Sequence, residues 1–157
     1  MRMRGDDLVY GDLTYQLNGI CFAVQNALGR FCSEKQYADA IERYLRERGI
    51  PYQREYVLPP LFEGEQPGRH RVDFLVAEVM VMELKTKKVI DRADYDQLLR
   101  YLVVLNCKLG MLINFRQRTL IPRRVLNSKA PFRTVSAYPH HLREGTDREA
   151  VGPASSV

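Results

Sequence analysis

RVDFLVAEVMVMELK, residues 71–85, holds two β-like runs, each with a carboxylate where carboxylates are costly. The second run, VMVMEL, is almost continuously apolar, the pattern of a strand buried on both faces. Glu83 interrupts it, and an ionised carboxylate there suffers a large desolvation penalty unless it is paired or binds a cation. Because strand side chains alternate, Glu83 and Lys85 project from one face while Met82 and Leu84 point the other way. The first run sets Asp73 among apolar neighbours, and the short Ala77-Glu78 connection predicts a hairpin in which Asp73 and Glu83 converge. Two carboxylates so placed share a proton or a divalent cation. Hard oxygen donors favour Mg2+ or Mn2+, which retain water for chemistry. Lys85 beside them can orient or deprotonate an attacking water and offset charge building on a phosphorane. The same residues also allow a purely structural account, with Asp73 capping a turn or paired with Arg71, and Glu83 paired with Lys85.

Outward from this stretch, apolar residues at Leu17, Ile20, Val24, Ala27 and Leu28 have helical spacing, predicting a helix over 13–28 that stops at Gly29. Ser33 predicts the cap of a second helix to residue 48, with Tyr37, Ile41, Tyr44 and Leu45 on its apolar side and Gly49 ending it. Residues 53–58 read as a strand, EGEQPG as a hairpin loop, and 69–76 and 79–85 as two further strands. Asp91 predicts the cap of a third helix over 91–106 whose stripe is Leu98, Leu99, Leu102 and Leu105. A buried strand, LGMLINF, follows, then a last strand over 120–126 and a polar tail ending GPASSV. The order predicts a mixed central β-sheet flanked by α-helices, with the third helix crossing over between parallel strands.

A length of 157 residues calls for one domain, and 45% hydrophobic with 27% charged residues is ordinary globular composition. No apolar run approaches the roughly 20 residues of a membrane span, and MRMRGDDLVYGDL lacks a secretory apolar core, so a cytoplasmic protein without a membrane partner is expected. Cys21, Cys32 and Cys107 are odd in number and widely spaced, which predicts reduced core thiols rather than a zinc or redox centre. A net charge of +5 favours a polyanionic partner. Lys85, Lys87 and Lys88 form one basic cluster, and Arg116, Arg118, Arg123 and Arg124 another, suited to phosphate contact or to a solvated face.

The Asp73 strand followed by Glu83-Leu84-Lys85 resembles the D…ExK signature of the PD-(D/E)XK nuclease superfamily. LTYQLNGICFAVQNALG, Glu34 to Tyr37, RERGIPYQRE, RVDFLV, MELK and QLLRYL followed by LGMLINF resemble, more narrowly, its GxxExxY family across residues 8–126. Phe31 stands where that family has Gly, and Val72 where the signature has proline. The resemblance implies an α/β restriction-endonuclease-like core in αβββαβ order. The domain would occupy 13–126, between an N-terminal arm, 1–12, and a loosely structured C-terminal tail, 127–157. It implies Glu34, Asp73, Glu83 and Lys85 as catalytic residues, with Asp73, Glu83 and Glu34 as ligands of Mg2+ or Mn2+. Gln97 and Tyr101, four apart on one helix face, resemble the QxxxY element of the RecB-like branch and would contact nucleic acid, as would Lys87 and Lys88. The expected function is a divalent-metal-dependent nuclease, a deoxyribonuclease in the first instance, that hydrolyses phosphodiester bonds through a metal-activated water. The alternative is a catalytically inactive nucleic-acid-binding module that keeps the fold, and weaker still is an interaction subunit for other proteins. A homodimer is compatible with either of the first two.

Overall fold

A computed structural model describes residues 10–133 and 135. The arm over residues 1–9 and the tail over 134 and 136–157 lie outside the described residues.

Helix α1 (Gly11–Leu28) begins two residues before the apolar spacing suggested, behind Tyr10 in the left-handed region, and buries Leu13, Leu17, Ile20, Cys21 and Val24 on one face. Gly29, at φ 76, ends it in a conformation that side chains disfavour. Helix α2 (Glu34–Glu47) starts at the predicted Ser33. Ser33 Oγ accepts the Gln36 amide at 3.2 Å while Gln36 Oε1 accepts the Ser33 amide at 2.8 Å, satisfying two donors that a helix start leaves open.

Strand β1 (Tyr52–Val57) pairs antiparallel with β2 (Arg71–Val76), and β2 with β3 (Met80–Lys85). Residues 63–68 lie in the connection between β1 and β2. Ala77 and Glu78 make the second hairpin turn with φ of 51 and 60, the positive values at both central positions that a type I′ turn requires. Helix α3 (Arg92–Leu105) then crosses over so that β4 (Leu109–Asn114) lies parallel to β3, and β5 (Arg123–Leu126) closes the edge antiparallel to β4. The result is a five-stranded mixed sheet in the order β1-β2-β3-β4-β5. It is flanked by helices on both faces, as the restriction-endonuclease-like reading requires.

The two faces carry separate cores. Phe74, Met80, Met82, Leu84, Met111 and Ile113 pack with α1 and α2. Val81 and Leu112 pack with Leu98, Tyr101 and Leu102 of α3. Gly110 is what lets α3 sit this close, since a Cβ there would meet the Leu98 side chain at 3.0 Å.

Three expectations are corrected. Leu99 is exposed and Leu105 only half-buried, because Asp94 and Tyr101 complete the buried stripe with Leu98 and Leu102. The last strand starts at Arg123, since Leu120 is buried in the core cluster under α1 and α2 rather than paired in the sheet. Cys32 is only partly buried, in the turn between α1 and α2, while Cys21 and Cys107 are buried; all of them are free thiols. Residues 127–133 fold back on the domain: the buried Asn127 donates from Nδ2 to the Cys107 carbonyl, and Phe132 stacks on Tyr10 with centroids 4.9 Å apart.

Candidate active site

The β2–β3 ladder is regular through Phe74↔Met82 and stops there, just where Asp73 would face Glu83. On its other side, the β1–β2 ladder skips Glu55 opposite Asp73, and Glu55 has φ 52. Side chains take the place of the missing rungs. Glu83 Oε1 accepts the Asp73 amide at 2.9 Å, and Asp73 Oδ2 accepts the Leu84 amide at 2.7 Å. Each carboxylate thus caps a backbone donor of the opposite strand, which would otherwise be a buried unpaired group. One oxygen of each, Asp73 Oδ1 and Glu83 Oε2, is left over from this exchange.

The electrostatics show what the convergence costs. Burial, then the charge of Asp73, pushes the Glu83 carboxyl up to about 8, against the pull of the Asp73 amide and Lys85. Burial also raises Asp73, which the Leu84 amide and Lys85 oppose. Glu34, the first residue of α2, is raised by partial burial and by Asp73, while Lys85 and the Thr86 backbone amide draw it down. Asp73 and Glu34 line a cleft of about 240 Å³ with Lys35, Arg54 and Glu55. The α2 side therefore brings Glu34 to the same place as the strand carboxylates.

Lys85 projects toward α3. Its Nζ lies 3.5 Å from Gln97 Oε1 and 3.8 Å from Asp94 Oδ1. Among the described residues, neither Glu83 with Lys85 nor Asp73 with Arg71 forms an ion pair; each carboxylate accepts a backbone amide instead. Tyr101, only 5% exposed, sits close enough to Glu83 for that charge to add to burial in raising its phenol. Lys87 is committed to Asp94 at 2.9 Å and Asp91 at 3.4 Å, whereas Lys88 is exposed and in no ion pair among the described residues.

Phe31 sits in the turn that leads to Glu34 without straining it. Position 31 is not among the positive-φ residues, so a side chain there adds no left-handed strain. The ring is 75% exposed, with the Arg30 and Arg116 guanidinium groups 5.1 and 5.2 Å from its centroid. Tyr37 secures the turn from below: it is fully buried, stacks on Phe115, donates to the Gly29 carbonyl at 2.5 Å and accepts the Cys32 amide at 3.2 Å. The aromatic of the Glu34-to-Tyr37 motif is thus a structural clamp on the turn that leads to Glu34.

The sequence pattern of the PD-(D/E)XK nuclease superfamily matches residues 11–125, all but the last residue of the span that builds the sheet and both helical layers. The chain belongs to this superfamily. Its members are typically nucleases, acting on nucleic acid and generally using divalent metal ions. No curated protein and no solved structure matches the chain. No helix among the described residues is long and apolar enough to cross a membrane.

The superfamily's metal ion fits the donors present. The buried Glu83 carboxylate and the half-buried Asp73 carboxylate, with an oxygen each left over, are hard ligands whose raised protonation a dication would reverse. Among the described residues no three carboxylate, imidazole or thiolate side chains form a ready-made cage.

Two residues of the cluster escaped the sequence reading. Asp94 closes a second capping box with Asp91 and pairs with Lys85 and Lys87, and its signal was the Asp-x-x-Asp spacing at the helix start. Asn114 is 1% exposed; its Oδ1 accepts the Lys87 amide and its Nδ2 donates to the Lys87 carbonyl, at 3.1 and 2.7 Å. Its signal was an amide ending an otherwise apolar strand.

Proposed function

We propose that this chain hydrolyses phosphodiester bonds in nucleic acid, DNA first, with Mg2+ or Mn2+ held by Asp73 and Glu83 and with Glu34 alongside. The observation that carries the reading is the reciprocal clasp of Asp73 and Glu83 at the open end of the β2–β3 ladder, with Lys85 on the same face. A bound dication supplies Lewis-acid polarisation of the phosphoryl oxygen. Lys85, steadied by Gln97 and Asp94, donates to the attacking water or to the phosphoryl oxygens and offsets the charge that builds there. Water attacks phosphorus, the P–O bond opposite breaks, and the leaving oxygen takes up a proton; no side chain becomes covalently linked. Lys88 and the Gln97–Tyr101 face of α3 contact the nucleic acid beside the scissile phosphate, and Lys87 reaches phosphate only by exchanging its aspartate partners. The likeness to the GxxExxY family and its RecB-like relatives rests on the motifs quoted above.

The test is cleavage of labelled single- and double-stranded DNA and RNA with Mg2+, Mn2+ or EDTA, for wild type, Glu83→Ala and Lys85→Ala. We expect metal-dependent cutting of DNA that falls by at least about a hundredfold in both variants, the scale of losing one electrostatic donor or more. Binding with no cutting under any metal would replace the nuclease with a non-catalytic nucleic-acid-binding module.

A further inference from the structure

Beside the candidate active site, past the first turn of α3, lies a second cavity of about 310 Å³. Tyr95, Ile90, Leu112 and Ile121 give it apolar walls, and Lys88 and Arg123 stand at it. It is on the same sheet face as Glu83 and Lys85: Asn114, which also lines it, is the register partner of Lys85, and Leu112 is the partner of both Glu83 and Arg123. The loop that leads out of Lys85 forms part of its wall. Asn114 grips that loop on both sides of Lys87, so the wall is built before any ligand arrives.

The charges discriminate among occupants. Lys85 and Lys87 have carboxylate partners, but among the described residues neither Lys88 nor Arg123 has one. Two uncompensated cations beside apolar and aromatic walls match a ligand that is anionic outside and flat and apolar within. A nucleotide has that make-up, because every base has a π-face for an aromatic side chain and a phosphate on each side of it. At the lower end of ligand-pocket volumes, the cavity has room for a base.

We propose that this cavity takes one unstacked base of a single-stranded segment, next to the phosphate cut at Asp73, Glu83 and Lys85; the adjacency rests on the nuclease reading, the base pocket on the cavity itself. In a duplex the base would first have to leave its stack and its partner, at a cost of a few kcal/mol, so the substrate class is single-stranded or locally opened nucleic acid. Tyr95 stacks on the base, and Lys88 and Arg123 contact its flanking phosphates.

The test is binding in EDTA, read by fluorescence anisotropy, of a labelled thymidine strand, an abasic strand of equal length and charge, and a duplex. Wild type should bind the thymidine strand about tenfold more tightly than the abasic one, on the scale of one stacked base. Tyr95→Ala should shrink that preference to about twofold and leave duplex binding unchanged, while Tyr95→Phe restores it. Equal binding of thymidine and abasic strands by wild type would overturn the proposal even if Tyr95→Ala failed to fold, as would equal loss on strand and duplex. Cutting in Mg2+ runs in parallel: wild type that cuts but shows no base preference refutes the pocket alone. A base preference without cutting under any metal refutes the nuclease and leaves the pocket.

Discussion

Glu83 is where chemistry and stability pull against each other. Its carboxyl is 7% exposed and held at about 8, far above the ordinary 4.5. A carboxyl whose folded value is raised favours the fold in its neutral form, so its contribution is fully present below about pH 4.5 and is lost as pH climbs through 8. In EDTA, therefore, the unfolding midpoint should fall across that window, and Glu83→Gln should flatten the fall because it has no proton to lose. Adding Mg2+ near pH 8 should raise the wild-type midpoint and leave the variant's nearly unmoved. A wild-type midpoint indifferent to pH between these limits would contradict the burial assigned to this carboxylate. The alternation of VMVMELK placed Glu83 and Lys85 on one face, and that much was legible from residue types alone. That Lys85 would turn to Gln97 and Asp94 rather than to Glu83 was not, because it depends on where a helix some ten residues on comes to rest.

Among the elements, α3 sets the site's far wall, and one glycine fixes its height. A methyl at position 110 would meet Leu98 at 3.0 Å, and Leu98 is buried against the sheet with little room to yield. Gly110→Ala should cost about 1–3 kcal/mol in urea unfolding, the usual penalty for overpacking. Because Gln97 adjoins Leu98 on the same helix, the shift should also lower cleavage. An unchanged midpoint would mean that α3 is not seated as tightly as the contact implies. The caps and strands themselves were readable: Ser33 and Asp91 begin their helices as their side chains suggest. The early end of the β2–β3 ladder was not, since it belongs to the pairing and to neither strand by itself. Leu99 misled for a related reason: in a Leu-Leu pair both members look apolar, and only the angle at which the helix meets the sheet selects Leu98.

For the molecule as a whole, the excess of five positive charges acts at a distance. Binding to single-stranded DNA in EDTA should weaken linearly in log affinity against log salt, and Lys88→Ala should make that slope shallower by about 0.7. A slope identical to wild type would remove Lys88 from the phosphate contacts. Composition announced the charge, but only the fold separates committed cations such as Lys87 from Lys88 and Arg123, which have no carboxylate partner among the described residues. The meeting of Tyr10 with Phe132, strengthened by the Arg133 amide donating to the Tyr10 hydroxyl at 2.8 Å, has a further bearing. It brings the two boundaries of the described domain side by side. Termini this close make a cut and rejoined polypeptide of the same architecture the expected outcome. A circular permutant that links residue 133 to residue 10 through a short Gly-Ser bridge and opens at Gly64 should unfold cooperatively and cleave nucleic acid as the unpermuted chain is proposed to do. A permutant that fails to fold would show instead that the order of synthesis, and not only the final contacts, matters to this chain.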